Sequence, residues 1–105
     1  ADGDVIAYST TVSSDENLKK DIVTVPDSLA KVEALKGVTF TWKKNDNKSA
    51  GVIAQDVQKV LPDAVRTVAD FDGNDYLAVN YNALISILIE SIKELSAKVK
   101  VLEAK

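Results

Sequence analysis

The sequence predicts an α+β domain, with short antiparallel strands and short helices followed by one long C-terminal helix. Three patterns indicate this fold class. Apolar and polar residues alternate from Val38 to Lys43, which is typical of a strand. Asp72 and Gly73 separate two further strand-like segments, as in a hairpin turn. From Tyr81 onward, apolar residues recur with helical spacing.

The N-terminal third is predicted to contain one strand and two short helices. Residues 1–12 alternate weakly, as in a strand, and are followed by a helical turn over residues 15–20. An extended segment is expected over residues 22–25. Asp27 is a suitable N-cap for the second helix, and Gly37 is a suitable residue to end it.

The centre of the chain combines strands with one short helix. The predicted strands are residues 38–43, 51–54, 64–69 and 75–79. A helix over residues 56–61 ends at Pro62, because proline has no N–H with which to continue it. We expect the aromatic side chains of Phe40 and Trp42 to fill the core.

The C-terminal helix carries a stripe of apolar residues at alternating intervals of three and four. We call this set the seam: Ile85, Leu88, Ile92, Leu95, Val99 and Leu102. In the first half Leu84, Ile87 and Ile89 are apolar as well, so this half is predicted to pack in the domain core. In the second half the apolar width narrows to the seam, which favours a coiled coil with partner helices.

Two questions about this helix remain open from its spacing. The seam is also compatible with an amphipathic helix folded on its own domain. Read as a heptad pattern, the seam has β-branched residues at its a positions and leucine at its d positions. This combination favours a dimer over higher oligomers.

Composition limits the possible chemistry. The chain has 105 residues, a net charge of −3, no cysteine and no histidine, and its length fits one domain. Disulfides and thiolate metal sites are excluded, and we expect no metal and no cofactor. The acidic balance provides no basic track for nucleic acid. No apolar run approaches the roughly 18 residues that would indicate a membrane span.

Ser14 and Lys19 offer a hydroxyl and an amine five residues apart. Without histidine or cysteine, lysine is the natural nitrogen base for activating a serine. A free lysine has a pKa of about 10.4, and a general base needs a value of about 7 or 8, which burial can produce. Asp15, Glu16 and Asp21 oppose this shift unless they point elsewhere.

The spacing also has a purely structural interpretation. Ser13 and Glu16 match a capping box, which would leave the lysines solvated.

Positions five apart on an α-helix differ by roughly 140° in direction. A contact therefore requires Ser14 at or before the helix start, with Lys19 folded back. Free N–H groups of that first turn are candidates for stabilising an oxyanion.

Three blocks together resemble one known family. They are S-D-E-N-L-K-K-D-I (14–22), G-V-T-F-T-W-K (37–43) with A-G-V-I-A-Q-D-V-Q-K-V-L-P-D-A-V (50–65), and Y-L-A-V-N-Y-N-A-L-I-S-I-L-I-E-S-I-K-E-L (76–95). The chain resembles the C-terminal intramolecular chaperone, auto-processing domain of phage tail fibres, tailspikes, endosialidases and neck appendages. The resemblance covers residues 14–105 in order.

The resemblance implies a homotrimeric chaperone that assembles a fibre and then releases itself. It assigns Ser14 as nucleophile and Lys19 as base, with the cut between Ser13 and Ser14. Residues 1–13 would end the preceding fibre segment, which is the folding client, and residues 14–105 would be the chaperone. Residues 81–105 would form the trimerising coiled coil. The chain would act in a virion tail-fibre precursor, assembled in the host cytoplasm.

Alternatives to this function remain open. The chain could be a trimerisation module without chemistry, or a receptor-binding fibre tip. Cleavage could be direct attack on the bond of a neighbouring subunit. It could instead begin with attack of Ser14 on its own preceding carbonyl, which would give an ester.

Overall fold

The computed structural model describes residues 11–105, so the strand predicted over residues 1–12 lies almost entirely outside the described range. In this described part of the chain, two short turns of 3₁₀ helix, three α-helices and four strands follow one another. They are the 3₁₀ turn Glu16–Leu18, α1 Ser28–Glu33, β1 Val38–Thr41, β2 Lys48–Gly51, α2 Ala54–Val60, the 3₁₀ turn Pro62–Ala64, β3 Val65–Ala69, β4 Asp75–Val79 and α3 Tyr81–Glu103. The predicted α+β fold class is confirmed.

The strands pair as two antiparallel hairpins. In the first, β1 pairs with β2; in the second, β3 pairs with β4 with Val65 opposite Val79. The turn of the second hairpin is closed by Asp70, whose carboxylate accepts hydrogen bonds from the Asp72 and Asn74 N–H groups, both at 2.9 Å. Gly73 supplies a φ of 80°, which glycine adopts without strain. This hairpin lies where the sequence predicts it.

The strand predicted over residues 51–54 is misplaced, because pairing starts earlier. The Trp42 N–H donates to the Asn47 carbonyl at 2.8 Å, which closes a tight turn in which Asp46 has a φ of 60°. Strand β2 therefore begins immediately afterwards, at Lys48, and is complete at Gly51.

Trp42 lies at the start of this turn rather than in the core. Its side chain is 53% exposed. It meets Phe40 edge to face, with ring centroids 4.8 Å apart, and Phe40 is half-buried. The prediction that both rings fill the core is therefore wrong for Trp42, because the tight turn begins there and leaves its ring at the surface.

The core is small and lies against one face of α3. Within residues 11–105 the buried apolar side chains are Val57, Ala64, Leu84 and Ile87. Half-buried residues pack around them, including Val32 of α1, Leu61 at the end of α2 and Val79 of the second hairpin. Helix α1 packs along α3. The core of one copy is thus built where α1, α2 and β4 meet the first half of α3.

Helix α3 has two different long faces. Leu84, Ile87 and Ser91 are buried against the domain. The seam lies on the adjacent face, and its six side chains are 42–68% exposed. Ile89 is exposed as well, so the prediction that it packs in the core of its own domain is wrong. One copy of the chain therefore leaves an uncovered apolar stripe along α3.

The long helix makes the molecule elongated. The radius of gyration is 17.0 Å, compared with about 13 Å for a compact domain of this length. Helix α3 alone spans about 35 Å, because each of its residues adds about 1.5 Å. Its second half extends beyond the core, as the exposure of Val101 and Leu102 indicates.

Candidate functional site

Ser14 and Lys19 are in direct contact. The Lys19 Nζ donates a hydrogen bond to the Ser14 Oγ, and the two atoms are 2.6 Å apart. This places an amine within proton-transfer distance of an alcohol.

The 3₁₀ turn Glu16–Leu18 produces this contact. Ser14 precedes the turn, and Asp15 is its N-cap, with a carboxylate that accepts from the Asn17 N–H at 2.9 Å. Lys19 follows in an extended conformation, with φ −119° and ψ 150°. The capping box predicted from Ser13 and Glu16 is absent, because Asp15 takes the N-cap position. The single turn brings residues on its two sides together, whereas an α-helix would separate them.

Three N–H groups at this turn already have acceptors. The Leu18 N–H donates to the Asp15 carbonyl at 3.0 Å, and the Lys19 N–H donates to the Glu16 carbonyl at 3.0 Å. The Asn17 N–H donates to the Asp15 side chain. These three donors are therefore not available for an oxyanion.

The pair is open to solvent in one copy. Residues 11–24 are all exposed, and apolar side chains flank the pair on the downstream side: Leu18, Ile22 and Val23. On α3, far along the chain from Lys19, Lys93 forms an ion pair with Glu90. One copy of the chain therefore leaves both side chains of the pair in contact with water.

Sequence reasoning missed one long-range hydrogen-bond acceptor, which lies at the start of α1. Asp27, the predicted N-cap of α1, has a left-handed backbone with a φ of 51° and forms no side-chain capping bond. The carboxylate of Glu94 accepts from the N–H groups of Ser28 and Leu29 instead. Glu94 is 66 residues from Ser28, so no local pattern could have revealed this contact.

The other predicted groups lie as follows. Ser13, the residue before the expected cut, is exposed. Across residues 11–105, no group of three or more acidic side chains is arranged to hold a metal ion. In the same part of the chain, no helix combines the length and hydropathy needed to cross a bilayer.

Comparison with known proteins identifies the family. The structure is a small α+β domain in which the Ser14 hydroxyl contacts the Lys19 amine. The seam of α3 is exposed in one copy. The family model described as chaperone of endosialidase matches residues 14–66. The chain belongs to this family.

Three relatives with similar sequences are named as tail fibre proteins. The long tail fiber protein of Enterobacteria phage K3 is 38% identical over 98% of this chain, and that of Enterobacteria phage T2 is 38% identical over 98%. A probable tail fiber protein of Escherichia phage Phieco32 is 36% identical over 93%. The chain spans 9%, 8% and 14% of the lengths of these three relatives, respectively.

Proposed function

We propose that the chain is the C-terminal intramolecular chaperone of a phage tail fibre, and that it releases itself by one self-cleavage between Ser13 and Ser14. Residues 14–105 are the chaperone, and the segment ending at residue 13 belongs to the fibre that it helps to fold. The observation that carries this proposal is the 2.6 Å contact between the Lys19 Nζ and the Ser14 Oγ. Family membership and the tail fibre relatives support it.

The chemistry begins with a proton transfer. Neutral Lys19 takes the hydroxyl proton of Ser14, and the Oγ attacks the carbonyl carbon of Ser13, either in the same chain or in a neighbour. The C–N bond breaks, the nitrogen leaves with a proton from the lysine, and an ester remains between the Ser13 carbonyl and the Oγ. Water then hydrolyses the ester to a carboxylate and restores the hydroxyl. Each chain cuts once.

Assembly of several copies would shield the Ser14–Lys19 pair from water, which one copy alone does not do. We propose that three copies join along the seam in a parallel coiled coil over residues 81–105. The seam side chains are 42–68% exposed in one copy, so joining would cover a continuous apolar stripe. Covering the exposed pair of Ser14 and Lys19 with a neighbouring subunit would remove water from the amine, which favours its neutral form. Cleavage would therefore wait for the trimer.

The test is the intact mass of freshly expressed protein together with its sedimentation. The wild type should yield trimers and a species that begins at Ser14. Ser14→Ala and Lys19→Ala should remain whole and still assemble. The matched control is Lys20→Ala, which removes the same group one residue away and should be cleaved like the wild type. Uncleaved wild-type trimers, or normal cleavage in Lys19→Ala, would refute the assigned chemistry.

A second function is favoured by one observation. Ser14 and Lys19 are exposed in one copy, as expected of a trimerisation module without chemistry. In that case the wild type and Ser14→Ala would have the same mass and form the same trimer.

A further inference from the structure

One carboxylate of the seam helix reaches across to the start of α1. The Glu94 Oε1 accepts from the Ser28 N–H at 2.9 Å, and the Oε2 accepts from the Leu29 N–H at 3.4 Å. These are the first two N–H groups of α1, which have no partner within their own helix. Hydrogen bonds to a charged acceptor are stronger than bonds between neutral groups.

The same junction is fixed by further bonds. Ser28 is completely buried, and its hydroxyl donates to the Val25 carbonyl at 3.1 Å. The Lys31 Nζ donates to the Pro26 carbonyl. Val25 packs on the hydrophobic core. Residues 25–29 therefore form a fixed point of the backbone, and Glu94 is the acceptor that ties this point to α3.

This fixed point is where the candidate site joins the domain. Between Lys19 and Val25 the chain has neither helix nor strand, its residues are exposed, and Asp21 has a φ of 54°. Residues 11–24 are exposed throughout. The position of Ser14 and Lys19 relative to α3 is consequently set through residues 25–29.

Glu94 also lies on the turn of α3 that carries the middle of the seam. Its neighbours Ile92 and Leu95 are seam residues that are exposed in one copy, whereas Glu94 is partly buried against α1. Packing of Ile92 and Leu95 against other copies would hold this turn of the helix in place. It would thereby hold the carboxylate that secures α1.

We propose that Glu94 is a positioning residue that couples the assembled seam to the segment carrying Ser14 and Lys19. This inference rests on the proposed self-cleavage for its effect on rate. Glu94 does not touch the reacting atoms. It keeps residues 25–29 fixed on α3, so that the segment upstream meets the neighbouring copy in one orientation.

The test combines amide hydrogen exchange with cleavage rate. Exchange is measured on the whole chain carrying Ser14→Ala, so that every sample stays uncleaved. Glu94→Ala should speed exchange in peptides covering residues 20–29 but not in those covering the buried part of α3. With Ser14 intact, Glu94→Ala should cleave roughly 10- to 100-fold more slowly at an unchanged trimer fraction, because small misplacements cost about that much in rate.

Two variants separate positioning from general stability. Glu94→Gln keeps one acceptor oxygen, so it should recover part of the rate and of the exchange protection. Glu90→Ala is the matched control, because the carboxylate of Glu90 pairs with Lys93 on the same helix at 3.3 Å. It should match the wild type in both measurements.

The outcomes are distinct. Unchanged exchange at residues 20–29 in Glu94→Ala would overturn the coupling. A rate loss that merely follows loss of trimer, or one equalled by Glu90→Ala, would overturn the positioning role. A wild-type trimer that never cleaves would refute the proposed function and the rate effect with it, and the exchange data would still decide whether Glu94 holds residues 20–29.

Discussion

Truncating one seam residue should weaken assembly while leaving the single copy folded. The change is Ile92→Ala. Ile92 is 68% exposed in one copy, so its methyl groups contribute little to the fold of that copy. In the proposed trimer the same side chain lies at the centre of the coiled coil, where three copies pack against one another.

The magnitude follows from the exposed fraction. Isoleucine to alanine costs about 2–5 kcal/mol at a fully buried site. With 68% of Ile92 still to be buried on assembly, the cost is about 1.4–3.4 kcal/mol per copy and about 4–10 kcal/mol per trimer. The concentration of half-assembly depends on the square root of the trimer dissociation constant, so it should rise roughly 30-fold or more.

Sedimentation equilibrium over a wide concentration range measures this shift, on chains carrying Ser14→Ala so that none is cut. Val101→Ala is the matched control, because Val101 is 59% exposed on the same helix but lies off the seam. It should assemble like the parent. Ile87→Ala removes a fully buried side chain and should unfold the copy instead. The reasoning is refuted if Ile92→Ala and Val101→Ala assemble equally well.

Two further predictions concern the amine and the first hairpin. The cleavage rate of the assembled wild type should rise with pH and then level off, because a general base must be neutral to accept a proton, and Lys20→Ala should follow the same profile. A flat profile would argue against an amine base. Gly51→Ala places a Cβ against the Tyr81 Oη, and this oxygen accepts a hydrogen bond from the Val52 N–H at 3.2 Å. The free energy of unfolding, measured in urea, should therefore fall by about 1–3 kcal/mol. Adding Tyr81→Phe should relieve part of that loss, and a strictly additive double variant would contradict the collision.

Local patterns explain what the sequence predicts well. The hairpin around Gly73 and the helix beginning at Tyr81 depend on turn residues and on regular spacing, which are visible over a few residues. The contact between Ser14 and Lys19 is similarly local, because one turn and one long side chain suffice to make it. Their catalytic roles stay predictions.

Sequence reasoning misplaces the features that depend on distant contacts or on an unusual backbone conformation. Strand β2 starts at Lys48 because Asp46 adopts a left-handed conformation, and alternation of residue types carries no sign of this. Asp27 is a plausible cap by type, yet its backbone is left-handed and Glu94 takes its place from 66 residues away. Whether the seam binds two helices or three depends on the other surfaces that meet, so its spacing alone could not decide the number of copies.

The most direct test of the central claim compares self-cleavage with assembly at the same concentrations. Chains carrying Ile92→Ala with Ser14 and Lys19 intact are followed by intact mass from dilute to concentrated solution, and sedimentation gives the trimer fraction of each sample. We predict that the fragment beginning at Ser14 accumulates in proportion to the trimer. Monomers that release this fragment as fast as trimers would contradict the account.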